Sequence, residues 1–199
     1  AGYDLRIKVL DNLALYGQYI GEDAQNNLPY CFIGLFGMEG SFGLGNDGSY
    51  LNWYLEYTDT LIAPFRSSDN KRVGMAYNHG VYKHGYRYKG RSLGHTIDGD
   101  SRVLSAGTTL TDSWGCTWSL DLSGGTLNKE ASNRRSVVAP KQNIDIYSAD
   151  ASFKYPFSIG HSIKASTGGL YRKYPDSNER WDGYVSLGWE KSFDILNMH

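Results

Sequence analysis

Residues 77 to 102 hold the densest set of chemistry-bearing side chains in the chain. Three of the five histidines lie here, His79, His84 and His95, among Tyr77, Tyr82, Tyr86 and Tyr88. The cations Lys83, Arg87, Lys89 and Arg91 and the acids Asp98 and Asp100 complete the group. A saccharide site needs flat aromatic faces for sugar C–H surfaces and planar polar groups for hydroxyls, with arginine added for acidic sugars. The stretch supplies all three. The same residue types also line barrel lumens, where they pair with one another across the pore. The residues alone leave both readings open.

Other chemistries fit less well. His95, Asp98 and Ser101 invite a hydrolase reading, but three residues on one short loop seldom reach a nucleophile–base–orienter arrangement. Asp98-Gly99-Asp100 lacks the six or more oxygens of a calcium loop and reads as a turn at Gly99. His84 and His95 have no Cys/His cluster to complete a zinc site, so neither metal nor cofactor is expected. Asn133, Arg134, Arg135 and Lys141 make a second, basic cluster suited to an acidic polysaccharide or to lipopolysaccharide phosphate.

These groups need a scaffold, and the composition describes one. The 199 residues include 24 glycines and 16 tyrosines but only five prolines, which suits many twisted strands with aromatic faces. A net charge of −1 provides no field to gather nucleic acid, which is not an expected partner. Two cysteines, Cys31 and Cys116, are too few for a disulfide scaffold. No apolar run approaches a membrane helix, and no leader pattern stands at Ala1, as in a cytoplasmic chain or one whose leader has been removed.

Strict alternation recurs from end to end. Leu5, Ile7 and Val9 alternate with Asp4, Arg6 and Lys8; Leu51, Trp53 and Leu55 with Asn52, Tyr54 and Glu56; Val185, Leu187 and Trp189 with Ser186, Gly188 and Glu190. About ten or eleven strands are expected and no long helix. Two of them fall at 72–79 and 82–92, joined near Gly80. Tight turns at 11–12, 45–48, 112–113 and 156–160 alternate with longer connections at 21–29, 59–71, 93–100, 125–142 and 173–182, the signature of an up-and-down meander.

In residues 114–122, WGCTWSLDL, Trp114, Cys116, Trp118, Leu120 and Leu122 share one parity. That parity faces a core in a soluble lipocalin-like barrel and lipid in a membrane barrel. Strand length, the aromatics near strand ends (Tyr155, Tyr171, Trp181, Trp189) and a Ser/Thr/Gly/Asp/Lys/Glu opposite parity favour lipid. The mean hydropathy of −0.47 is no objection, because a membrane barrel can enclose water. The expected fold is therefore an all-β, antiparallel, up-and-down transmembrane β-barrel, with residues 1–199 one barrel domain or barrel portion.

YLEYTDT (54–60), YNHGVYKHGYRYKGRSLGHTIDGDSR (77–102), AGYDLR at the start and LYGQYIGED (15–23), in that order, resemble the C-terminal part of the capsule assembly Wzi family of outer-membrane proteins. The resemblance implies a larger barrel of about eighteen strands, within the bacterial range, so that N-terminal strands absent from this sequence would be partners in closure. It also implies location in the cell outer membrane, contact with its lipid and lipopolysaccharide, and a lectin-like, non-enzymatic role in attaching group-1-type capsular polysaccharide. The candidate polysaccharide-binding residues are Tyr82, His84, Tyr86, Arg87, Tyr88, Arg91, His95, Asp98, Asp100, Arg134 and Arg135. A diffusion porin and a barrel hydrolase are the competing functions. Tyr184 to Phe193, with Gly188 and a late aromatic, is similar to the terminal signal of barrel assembly, although Met198-His199 follow it.

Overall fold

A computed structural model describes residues 2–25, 28–62, 73–79, 81–82, 84–129, 136, 138–140 and 142–192. Arg134, Arg135, Lys83, Lys141 and Phe193 lie outside the described residues. The strands are β1 (Gly2–Leu10), β2 (Leu13–Gln25), β3 (Leu28–Gly43), β4 (Tyr50–Asp59), β5 (Arg87–Tyr88), β6 (Arg91–Ser92), β7 (Arg102–Thr111), β8 (Thr117–Leu127), β9 (Ile144–Ser158), β10 (His161–Lys173) and β11 (Glu179–Lys191). Nine of them form one antiparallel sheet in the order β1-β2-β3-β4-β7-β8-β9-β10-β11, each beside its neighbour in the meander. Among the described residues, β1 and β11 are its edges.

Register sorts the two faces. Arg6, Tyr16, Gly37, Glu56, Ser105, Ser123, Ser148, Leu170 and Asp182 form one continuous row across the sheet. The adjacent row is Leu5, Gly17, Phe36, Tyr57, Leu104, Gly124, Tyr147, Tyr171 and Trp181. Because side chains alternate with period two, the first row belongs to a polar face and the second to an apolar one.

The apolar face is exposed. Leu5, Ile7, Leu104, Leu120, Leu122, Val185 and Leu187 all remain uncovered, as lipid contact requires. Rings gather toward both ends of it: Tyr147, Tyr171 and Trp181 in contact at one end, and Phe42 on Trp53 and Trp118 on Phe153 at the other. On β11, Trp181 and Trp189 stand eight residues apart, about 26 Å along the strand and less along the membrane normal once the strand tilts. That separation matches the apolar band of an outer-membrane barrel, roughly 25 Å tall.

The polar face is laced by ion pairs, most of them between strands. Arg6 pairs with Glu39 at 2.5 Å, Lys154 with Glu190 at 2.6 Å, and Arg172 and Arg180 both with Asp182. A cavity of about 440 Å³ opens on this face, lined by Arg6, Lys8, Glu39, Asn52 and Tyr54 among others. It is the lumen side.

Connections at 11–12, 44–49, 112–116 and 159–160 lie at one end of the sheet, and the long excursions 60–101 and 128–143 at the other. Short turns mark the periplasmic end of such barrels and long loops the extracellular end.

Several expected boundaries differ. Among the described residues the strands expected at 72–79 and 82–92 are not part of the sheet: β4 pairs directly with β7, and within the excursion β5 pairs with β6. Left-handed backbone at Gly74, Tyr77, Gly85, Lys89 and Gly90 interrupts any extended run there. Two strands fewer leave the parity of the meander intact. Long connections expected at 21–29 and 173–182 are shorter than that, since β2 runs to Gln25, β3 begins at Leu28, β10 runs to Lys173 and β11 begins at Glu179. Trp114 sits in the turn before β8, where Asp112 accepts the N–H groups of Trp114 and Cys116. The Cys116 thiol is buried and free, and burial pushes it up from its usual range.

Candidate functional site

The excursion between β4 and β7 is pinched at its neck. Thr60 and Ser101 meet where the two strands end: the Thr60 N–H donates to the Ser101 carbonyl at 2.9 Å, and the Ser101 N–H to Thr60 Oγ1 at 3.0 Å. Thr60 Oγ1 in turn donates to the Asp98 carbonyl, and Asn128, at the end of β8, donates its N–H to Ser101 Oγ. Three strand ends are thereby tied into one buried polar knot. Such a knot is stable only when its groups are satisfied together.

The loop then folds inward over the lumen mouth. Ile33, on the lumen parity of β3, packs with Ile62, Ala76 and Tyr77 of the loop. Ile97 and Ala139 pack with Val103, Leu127 and Ile144 at the same end of β7, β8 and β9. Both long connections thus cover the lumen side.

Tyr77 is the pivot. It adopts φ +60°, a costly state for a bulky residue that persists only where its surroundings over-determine it. Its carbonyl accepts the Tyr86 N–H at 3.0 Å and its hydroxyl accepts the His95 N–H at 3.1 Å. A Cβ on Gly94 would stand 2.3 Å from the Tyr77 ring, so only glycine fits beneath it. Lys89 and Gly90, both with positive φ, make the two-residue turn that a type I′ hairpin demands. That hairpin projects from Tyr86 and Leu93, which the Leu93 N–H joins to the Tyr86 carbonyl.

Between the loop and the lumen face of β2, β3 and β4 lies a cavity of about 900 Å³. This is at the upper end of small-ligand sites, roughly 300–1,000 Å³. Tyr82, Tyr86 and His95 line it, joined by Tyr77 and His79. The strands contribute Gln18, Ile20, Leu35 and Thr58, and the loop adds Met75, Asn78 and Leu93. Tyr82 is 70% exposed and its ring lies 4.7 Å from that of His79. His79 Nδ1 accepts the N–H groups of Val81 and Tyr82, both at 3.1 Å. His95 Nδ1 accepts the Ile97 N–H at 3.3 Å, and burial holds this imidazole below its usual range, against an opposing pull from Glu56.

The described sequence candidates therefore separate into three groups. Tyr82, Tyr86 and His95 reach the cavity, while His84, Tyr88 and Arg91 are exposed outside its lining. Arg87, Asp98 and Asp100 are instead buried within the loop. Arg87 forms a two-pronged pair with Asp98, at 2.8 and 2.6 Å, and Asp100 accepts the Gly74 N–H at 2.7 Å. These three hold the loop's shape. The hydrolase constellation is likewise committed elsewhere: Ser101 Oγ donates toward the Ile97 and Gly99 carbonyls, Asp98 belongs to Arg87, and His95 faces a backbone N–H. Among the described residues, no three His, Cys, Asp or Glu side chains gather as a metal site.

Sequence reasoning missed Gln18, Ile20, Leu35 and Thr58. Their shared lumen parity was the available signal, but nothing local indicates that the loop between β4 and β7 folds onto them.

A lipid-facing apolar belt between aromatic girdles, a polar paired lumen and long loops turned inward over its mouth together define an outer-membrane β-barrel. The family model for capsule assembly protein Wzi matches residues 1–178, and the chain belongs to that family of the outer membrane. A solved structure of Wzi from Escherichia coli, an outer-membrane protein involved in group 1 capsule assembly and a carbohydrate-binding β-barrel, superposes with a TM-score of 0.76 at 27% identity. The match covers 98% of this chain and 42% of that one. An uncharacterized 55.8 kDa protein in the cps region of Klebsiella pneumoniae is 41% identical over 64 residues, 30% of this chain and 12% of the relative. The chain thus spans less than half the length of either protein.

Proposed function

We propose that this chain is the part of a lectin-like, non-enzymatic outer-membrane protein that holds exported capsular polysaccharide at the cell surface. The observation that carries the reading is the cavity at the extracellular mouth, where Tyr77, Tyr82 and Tyr86 stand beside amides, hydroxyls and imidazoles. Sugars are bound by that combination of flat apolar faces and planar polar groups. His84, Tyr88 and Arg91 extend the contact surface outside the cavity, and Arg134 and Arg135 belong to a basic loop suited to acidic sugars or lipopolysaccharide phosphate. Among the described residues β1 and β11 are the edges of the sheet; an open sheet edge is costly in lipid, and strands of a longer protein are therefore proposed to cover them.

The test is made in the full-length gene. Tyr82, Tyr86 and Arg91 are replaced together by alanine, correct barrel folding is verified by heat-modifiable gel mobility, and cell-attached and released polysaccharide are measured. Capsule shed into the medium is the expected result; unchanged attachment would overturn the site. A diffusion porin would instead conduct in a planar bilayer, which the inward-folded loops oppose.

A further inference from the structure

We infer that the mouth cavity takes an uncharged sugar unit of the polysaccharide, one with an apolar C–H or methyl face, and that acidic units stay outside it. The inference rests on the saccharide reading above and names the class of unit the cavity selects. Among the described residues lining the cavity there is no Lys, Arg, Asp or Glu. Arg87, the residue whose type best suits a uronate carboxylate, is buried and already neutralised by Asp98. A carboxylate entering this space would shed water and meet no cation from the described lining, which disfavours it against a neutral ring.

The groups that are present suit a neutral ring. Ile20, Leu35, Met75 and Leu93 offer apolar surface, and the Tyr82 ring offers a face for stacking. A ring nitrogen that accepts a backbone N–H carries no proton, so His79 and His95, each accepting through Nδ1, bear theirs on Nε2. Both imidazoles thereby keep Nε2 as the nitrogen that can donate to a hydroxyl oxygen. Gln18 and Asn78 add amides that donate and accept. Among the described residues the exposed cations of the loop stand on the projecting hairpin, Lys89 and Arg91, with Lys89 5.5 Å from the centre of the Tyr88 ring. Acidic units of the same polymer meet these from solvent, through contacts that salt screens.

The experiment uses the full-length protein in detergent micelles. Saturation-transfer NMR compares methyl galactoside and methyl rhamnoside with methyl glucuronide, at low and high salt, on wild type and Tyr82→Ala. Retention of purified capsular oligosaccharide is measured alongside. Neutral glycosides are expected to bind with little salt dependence, the glucuronide at least about tenfold more weakly, and the neutral signal to vanish in Tyr82→Ala. Glucuronide binding as tight as neutral binding, or neutral binding that Tyr82→Ala leaves intact, overturns the inference. Oligosaccharide retained without any glycoside binding also overturns it, while leaving the polysaccharide function standing. Neutral glycosides bound without oligosaccharide retention overturns the polysaccharide function and leaves the cavity a neutral-sugar site.

Discussion

Tyr54 on β4 reaches over Gly107 on β7 and donates its hydroxyl to the carboxylate of Asp121 on β8 at 2.8 Å. The arrangement recurs twice along the lumen. Tyr16 crosses Gly37 to Glu56 at 3.0 Å, and Tyr184 crosses Gly168 to Asp150 at 2.8 Å. Each tyrosine lies flat on the backbone of the middle strand because that strand has no side chain there. A Cβ on Gly107 would stand 2.2 Å from the Tyr54 ring and 2.4 Å from Asp121.

Gly107→Ala should therefore lift the ring and break the bond, costing about 1–3 kcal/mol as an overpacking change. Gly43→Ala, where a Cβ would meet nothing within 4 Å, is the control. The denaturant midpoint of the full-length barrel, followed by heat-modifiable mobility, should fall for the first and stay put for the second.

The buried pair between Arg87 and Asp98 sets up a second expectation. Removing the guanidinium in Arg87→Ala leaves a carboxylate buried without its cation, which typically costs about 3–5 kcal/mol. The cost should fall on the loop, because Arg87 and Asp98 both lie outside the nine-stranded sheet. Limited proteolysis should open cuts between residues 73 and 97 while the barrel keeps its heat-modifiable shift. The double replacement Arg87→Met with Asp98→Asn, which keeps a residue tolerant of the φ of +63° at position 98, should be cut more slowly than Arg87→Ala alone.

His95 gives the loop a pH dependence of definite sign. Burial holds its folded-state pKa below the ordinary value, which is about 6.5 when unfolded. Above that value both states are neutral and the loop keeps its full stability. As pH falls below it, the opened loop takes up the proton first, and stability declines until the folded state also protonates. Protonation would also turn Nδ1 from acceptor to donor against the Ile97 N–H. Loop cleavage by an acid-tolerant protease should accelerate below about pH 6.5, and His95→Gln should flatten that slope.

Much of the barrel was legible in the chain. Period-two alternation in Leu5 to Val9 or Leu51 to Leu55 fixes strand and face together, because a half-lipid, half-water sheet needs that period. The region from Tyr77 to Leu93 misled, since alternating aromatics and cations resemble a strand while left-handed residues at Tyr77 and Lys89 fold it as a loop. That Tyr82, Tyr86 and His95 line the cavity while Arg87 and Asp98 are buried in a pair of their own was not legible, because burial is a property of tertiary packing and residue type does not carry it. The Tyr54–Gly107–Asp121 arrangement joins residues 67 apart in sequence, and only register brings them together.

Neighbours on β11 separate the two faces most directly. Val185 is 85% exposed on the apolar face, four residues from both Trp181 and Trp189, whereas Ser186 belongs to the lumen parity. Arginine at the bilayer midplane costs about 2–4 kcal/mol on the lipid side and far less in a polar lumen. Val185→Arg should therefore lower the outer-membrane yield and denaturant midpoint of the full-length protein, while Ser186→Arg, one residue away, should leave both near wild type. Equal effects at the two positions would mean that lipid does not face Val185, and the assignment of sides across the whole sheet would fall with it.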